Sequence, residues 1–183
     1  EEILSDLVTS DINWNIISLR YFNPIGSHES GLIGDNPNGI PNNLMPFINQ
    51  VASGQQTHLR VFGNDYDTPD GTGIRDYIHV EDLSNAHIAA INKINSNNNS
   101  LKDPLNFFNI GTGKGYSVLE MVNAFEAANN IDIPYKIYPR REGDIASSFA
   151  DPKKANNFLG WKANQSINEM CLSSWNFQKN MIQ

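Results

Sequence analysis

One cysteine, Cys171, is too few for an intrachain disulfide or for a zinc site built on several thiolates. No apolar run approaches the roughly 20 residues needed to span a bilayer, and no signal peptide is recognisable. Cationic charge is scarce: 13 Lys and Arg stand against 20 Asp and Glu, for a net charge of −7, which excludes broad nucleic-acid binding. An anionic ligand must therefore be met by a few placed arginines, and there are five: Arg20, Arg60, Arg75, Arg140 and Arg141. No Met opens the chain. Ile3, Leu4, Leu7 and Val8 share a helical face with no capping residue before them, so the start reads as the interior of a helix and sequence upstream of Glu1 is expected.

What is present is globular: 39% hydrophobic residues, with 9 Phe, 6 Tyr and 3 Trp, in 183 residues. That length is about one domain and can bury a core without staples. Ile16 to Phe22 is a largely apolar run stopped by Asn23-Pro24, read as a buried, parallel strand after a helix. Residues 26–41 form a long Gly/Asn/Asp/Pro loop, of a length that is usually functional or disordered. A short helix follows at Leu44 to Val51, a strand at Leu59 to Phe62, and a turn-rich stretch from Gly63 to Gly73. A helix is predicted from about Glu81 to Ile94, then a polar linker from Asn95 to Ser100 and a strand from Leu105 to Ile110. Ser117 with Glu120 and Ser166 with Glu169 are capping boxes for two further helices, and Ile133 to Tyr138 is a strand.

Several features read as structural. The glycine run 111–115 lacks the spacing of a Walker A loop, and the dinucleotide fingerprint would need Gly where Tyr116 stands, so a strand–turn–helix with exposed Lys114 is expected. His28, His58, His79 and His87 share no metal-ligand spacing. Asp35, Asp65, Asp67 and Asp70 read as solvated turn residues, because a twelve-position calcium loop is absent. Cys171 reads as a small apolar plug on an inward helix face. More informative are Gly71-Thr-Gly-Ile-Arg75-Asp76-Tyr77-Ile-His79-Val-Glu-Asp82 and Pro139-Arg140-Arg141-Glu-Gly-Asp144, which place arginines in Gly-flanked turns. Guanidinium forks match diphosphate geometry, so two arginine sites in Gly-flanked turns of an acidic protein fit an anion clamp.

These strings, with Arg20-Tyr-Phe-Asn-Pro24, Gly39-Ile-Pro-Asn-Asn-Leu-Met-Pro46 and Phe62-Gly-Asn-Asp-Tyr66, resemble the UDP-glucose 4-epimerase family of extended short-chain dehydrogenase/reductases. The resemblance runs from the first helix to Trp175. It implies an α/β fold: residues 1–26 and the strand 105–110 at the edge of a Rossmann-type parallel sheet, and residues 27–183 otherwise as a smaller substrate-binding lobe. It implies that Tyr21 and Phe22 end a Rossmann strand beside the nicotinamide of NAD, and that Asn23 binds the substrate diphosphate. Asn43 and Leu44 match nucleotide contacts, Arg60, Val61 and Phe62 the strand along uracil, Arg75 and Arg141 the diphosphate arginines, and Asp144 the carboxylate on the ribose. Ser148 matches the position bordering the sugar near C2, where a small residue leaves room for an N-acetyl group. The family uses a Tyr-x-x-x-Lys pair, and no Tyr here has Lys four residues on, so no catalytic residue is assigned. The resemblance thus implies the substrate half of a UDP-hexose 4-epimerase, dimeric and active only with an N-terminal half, in the cytoplasm, with no metal, membrane or nucleic-acid partner. The alternatives are a related dehydratase or decarboxylase, disfavoured by the uracil strand and the Asn-Asn-Leu-Met-Pro motif, and a non-catalytic nucleotide-sugar binding module.

Overall fold

The computed structural model describes residues 1–11, 13–96 and 103–182. The expected linker Asn95–Ser100 lies, from residue 97 onward, outside the described residues. The elements run α1 (Glu2–Ser10), β1 (Ile16–Tyr21), β2 (Asn23–Ile25), α2 (Leu44–Ala52), β3 (Leu59–Phe62), β4 (Ile74–His79) and α3 (Val80–Asn95). After these come β5 (Leu105–Ile110), β6 (Gly115–Ser117), α4 (Val118–Asn129), β7 (Tyr135–Tyr138), β8 (Ser147–Ser148), α5 (Lys153–Leu159) and α6 (Ile167–Ile182). This is the mixed α/β class expected from the sequence.

Three small sheets organise the chain. β1 and β5 pair in parallel, Ile16 opposite Leu105 through Tyr21 opposite Ile110. β3 and β7 pair in parallel. β4 is the hub: its second half runs parallel to β2, and its first half lies between antiparallel β6 and parallel β8. Successive side chains on a strand face opposite ways, and β4 uses this to divide the core. Tyr77 packs into one cluster, with Met45, Ile48, Val61, Met121, Phe125 and Met170. Ile78 packs into the other, with Leu83, Phe108, Ile110, Ala155 and Trp161.

Both capping boxes form. Ser117 and Glu120 exchange side-chain and backbone bonds at the head of α4, and Ser166 N–H donates to Glu169 at 2.6 Å before α6. Two expectations are corrected. β1 is half-buried rather than buried, and exposed at Arg20 and Tyr21, because β5 is its only partner among the described strands. The Asn23-Pro24 break does not end extended structure either: after Phe22 the chain leaves the β1–β5 pair and joins β4 as β2.

His79 links β4, α3 and α6. It caps α3, its Nδ1 accepting from Glu81 N–H at 3.1 Å, which leaves Nε2 as the protonated nitrogen facing Ser173 Oγ at 3.0 Å. Burial pushes its pKa below the ordinary histidine value, although Glu81, Asp82 and Glu169 pull the other way. The unfolded chain therefore takes up this proton first as pH falls through about 6.5, and native stability drops there. In thermal melts between about pH 7.5 and 5.5, Tm is expected to fall, and His79→Asn, which keeps a capping oxygen but does not titrate, is expected to lack that component. Superimposable pH profiles for the two proteins would contradict this.

Candidate functional site

The alternation of β3 sets the site. Leu59 and Val61 turn into the core, and Arg60 and Phe62 turn outward. They form one wall of a cavity of about 290 Å³. Asn23 enters from β2, placed beside Tyr77 by the parallel register. Asn43 and Leu44 enter from the head of α2, Arg75 and Tyr77 from one face of β4, and Arg141 and Asp144 from the turn after β7.

The arginines are differently held. Arg75 is braced: Nη1 donates to the carbonyls of Ile74 (2.8 Å) and Ile145 (2.9 Å), and Nη2 reaches Asp144 Oδ1 at 3.4 Å. The pairing of β8 with β4 brings the 141–145 turn over Arg75. Arg141 stacks on the Phe62 ring, 4.0 Å from its centroid, and Arg60 lies 5.3 Å from the ring of Phe47. Phe62 is backed by Tyr138 at 5.9 Å, whose hydroxyl meets His58 Nε2 at 3.1 Å. Burial pushes the Tyr77 phenol pKa up against the opposing pull of Arg75, so Tyr77 presents a neutral hydroxyl. Three guanidinium groups and one carboxylate, beside an aromatic face, suit an anion joined to a planar base and a diol.

Every residue expected to bind substrate lines this cavity except Ser148, which sits half-buried on β8 opposite Arg75. The residues expected at the nicotinamide, Tyr21 and Phe22, are not on its wall either. Tyr21 is exposed and bonded through its hydroxyl to His87 Nε2 at 2.9 Å, and Phe22 is half-buried where the chain passes between sheets. The sequence reading missed Pro24, Ile25, Asn42, Phe47, Leu59, Tyr66, Gly73, Tyr77 and Val118 as lining residues. Tyr66, Gly73 and Tyr77 lay inside the quoted strings, and Asn42 beside Asn43, but Val118 carried no signal beyond a helix face.

A larger cavity of about 520 Å³ lies behind β2, walled by Ile25, Ile33, Met45, Pro46 and Val80, and neither Lys nor Arg lines it. The glycine run is structural in detail: Thr112 and Gly113 give their N–H groups to the Asp76 carboxylate, and Lys114 N–H goes to Thr112 Oγ1. Those three N–H groups are therefore not available to cradle a phosphate. Asp70 is not the solvated turn residue expected, since it accepts from Thr72 N–H and from the Ser117 hydroxyl. Burial pushes the Cys171 thiol up to about 12, which makes it no nucleophile. Among the described residues, no group of three or more His, Cys, Asp or Glu is placed to hold a metal, and no helix is long and apolar enough to cross a membrane.

The profile of the GDP-mannose 4,6 dehydratase family matches residues 6–173. A UDP-glucose 4-epimerase of Dictyostelium discoideum is 55% identical over 178 residues, 97% of this chain and 51% of the relative. The solved UDP-glucose 4-epimerase of Bifidobacterium longum, in complex with NAD+ and UDP, superposes with a TM-score of 0.91 at 51% identity, over 98% of this chain and 52% of that one. The enzyme of Stenotrophomonas maltophila, with NAD and formylated UDP-arabinopyranose, gives 0.93 at 46% identity, over 99% and 52%. The chain thus spans about half the length of the relatives it matches.

Arg141→Ala is expected to weaken binding of a nucleoside diphosphate by about 1.5–3 kcal/mol, roughly 10- to 150-fold, the range for hydrogen bonds to a charged partner. Arg75→Ala should lose at least as much, since it also frees the segment it braces. Lys114→Ala, an exposed cation off the cavity, is the control. Calorimetric titration reads all three, and an Arg141→Ala curve matching wild type would refute the clamp.

Proposed function

The chain belongs to the family that the GDP-mannose 4,6 dehydratase profile describes, with UDP-glucose 4-epimerases as its relatives, and from this we propose that its cavity is the UDP-sugar half-site of a UDP-hexose 4-epimerase interconverting UDP-glucose and UDP-galactose. The observation that carries the reading is the meeting of Arg75, Arg141, Phe62 and Asp144 in one cavity. In it, Arg75, Arg141 and Asn23 hold the diphosphate, whose charge of about −2 two guanidinium groups offset. Phe62 covers the uracil along Arg60 and Val61, Asn43 and Leu44 border the nucleotide, and Asp144 accepts from the ribose. Such a site grips the part of the substrate that does not react and leaves the hexose to groups outside the cavity.

NAD is the cofactor of the solved relatives. The residues of this chain do not make a dinucleotide site: the Thr112 and Gly113 N–H groups are committed to Asp76, and Tyr21 and Phe22 offer at most a wall for the nicotinamide. No redox step is therefore assigned to these residues. In the same reading, residues 1–26 with β5 belong to a dinucleotide-binding domain and the remainder of 27–183 to the substrate lobe. A homodimer and a cytoplasmic location complete it. The missing Tyr-x-x-x-Lys pair also favours a second reading, nucleotide-sugar binding without catalysis.

The 183-residue chain is expected to bind UDP and, lacking the acid–base pair, to leave UDP-galactose unchanged even with NAD added. Turnover by the purified chain, or no UDP binding by calorimetry, would each overturn its part of the reading. Ser148 bears on substrate range: a small side chain beside Arg75 leaves space where a tyrosine would fill it. An epimerase containing this chain should accept UDP-N-acetylglucosamine, and Ser148→Tyr should lower kcat/KM selectively for that substrate. Equal losses on UDP-glucose and UDP-N-acetylglucosamine would refute the assignment.

A further inference from the structure

We propose that the Tyr66 hydroxyl is a ligand contact at the nucleoside end of the cavity, an inference that rests on the nucleoside-diphosphate reading of the site. Tyr66 lines the cavity and is 7% exposed, and its hydroxyl is buried without a hydrogen-bond partner among the described residues. A buried hydroxyl in that state is destabilising. The fold nevertheless holds the ring firmly. The Arg140 guanidinium covers one face at 4.1 Å from the ring centroid and is itself fixed to Asp65 at 2.7 Å. The Tyr66 N–H donates to the Gly71 carbonyl at 2.9 Å. Gly63, with φ of +81°, admits the ring edge: a Cβ there would stand 2.6 Å from Tyr66 Cε2 and 2.9 Å from Arg140 Cγ.

Phenylalanine would satisfy each of these contacts, fill the same volume and leave no orphan group. The hydroxyl is therefore the one part of the side chain that the fold does not use. Tyr66 packs against Gly63, the residue that follows Phe62, which places it at the end of the cavity proposed for the base rather than beside Asn23. There a phenol can donate to a base carbonyl or a ribose hydroxyl, or accept from an N–H.

In titrations of the 183-residue chain, Tyr66→Phe is expected to weaken UDP binding about tenfold while inorganic pyrophosphate binds within about twofold of wild type. The ligand-free variant should melt at the same temperature or higher, because it loses only an unpartnered group. A loss repeated with 2′-deoxy-UDP assigns the contact to the base or the ribose 3′-hydroxyl, and a loss that vanishes there assigns it to the 2′-hydroxyl. UDP affinity within about twofold of wild type, or an equal loss for pyrophosphate, overturns the proposal and leaves the UDP site standing. Failure of the wild-type chain to bind UDP overturns both.

Discussion

The buried carboxylate of Asp76 is the constraint on which the site depends. It is wholly shielded from solvent and accepts from Thr112 N–H (3.0 Å), Thr112 Oγ1 (2.6 Å), Gly113 N–H (2.9 Å) and Ala150 N–H (3.1 Å). A charge taken out of water is tolerable only with its lone pairs satisfied, and four donors do so here. One side chain thereby ties β4 to the turn after β5 and to the segment after β8. It also fixes which way β4 faces: with Asp76 anchored on one side, the strand alternation must send Arg75 and Tyr77 to the other, toward the cavity. The same contact explains Gly111, where a Cβ would lie 2.6 Å from Asp76 Oδ2 and 2.7 Å from the Ala150 Cβ.

A second polar clasp sits four to six residues on from the cavity's Tyr66, at Asp70 and Thr72. Thr72 gives its N–H and hydroxyl to Asp70, and its Oγ1 accepts from Val118 N–H at 3.1 Å. The Ser117 hydroxyl donates to the other Asp70 oxygen. Burial pushes the Asp70 carboxyl up, but the hydrogen bonds from Ser117 and Thr72 outweigh it and leave the pKa below the ordinary value. The loop between β3 and β4 is thus sewn to the head of α4. Strand β6 adds a second attachment, pairing Tyr116 with Arg75.

These two clasps mark the boundary of what the sequence alone discloses. Periodicity finds β3, β5, α3 and α4 because each repeats an apolar residue often enough to be counted, as with Met121, Val122 and Phe125. It passes over β2, β6 and β8, where two or three residues carry no repeat, and α5, whose only buried residue is Ala155. The cavity residues were legible through their strings, not through any physical signal of convergence, since Arg75 and Arg141 meet through β8 and the 141–145 turn. Asp70 and Asp76 look alike in sequence to the exposed Asp67. Their partners at Ser117, Thr112 and Ala150 are distant in the chain, and such side chain-to-backbone pairings leave no local pattern.

Electrostatics reconciles a net charge of −7 with a cavity wall rich in arginine. Screening limits exposed charges to about 8–10 Å at physiological salt, so the surface acids act weakly on a cavity whose own wall holds Arg60, Arg75 and Arg141 against Asp144 alone. Adjacent arginines are separated by task. Arg140 is drawn aside by Asp65 and stacks on Tyr66, and Arg141 stacks on Phe62 inside the cavity. Both guanidinium groups lie against aromatic faces, which orients Arg141 without a carboxylate partner among the described residues and leaves its donors to face the cavity. The positive charge of the cavity wall is therefore local, built by strand alternation and ring stacking, and does not depend on the sign of the protein's overall charge.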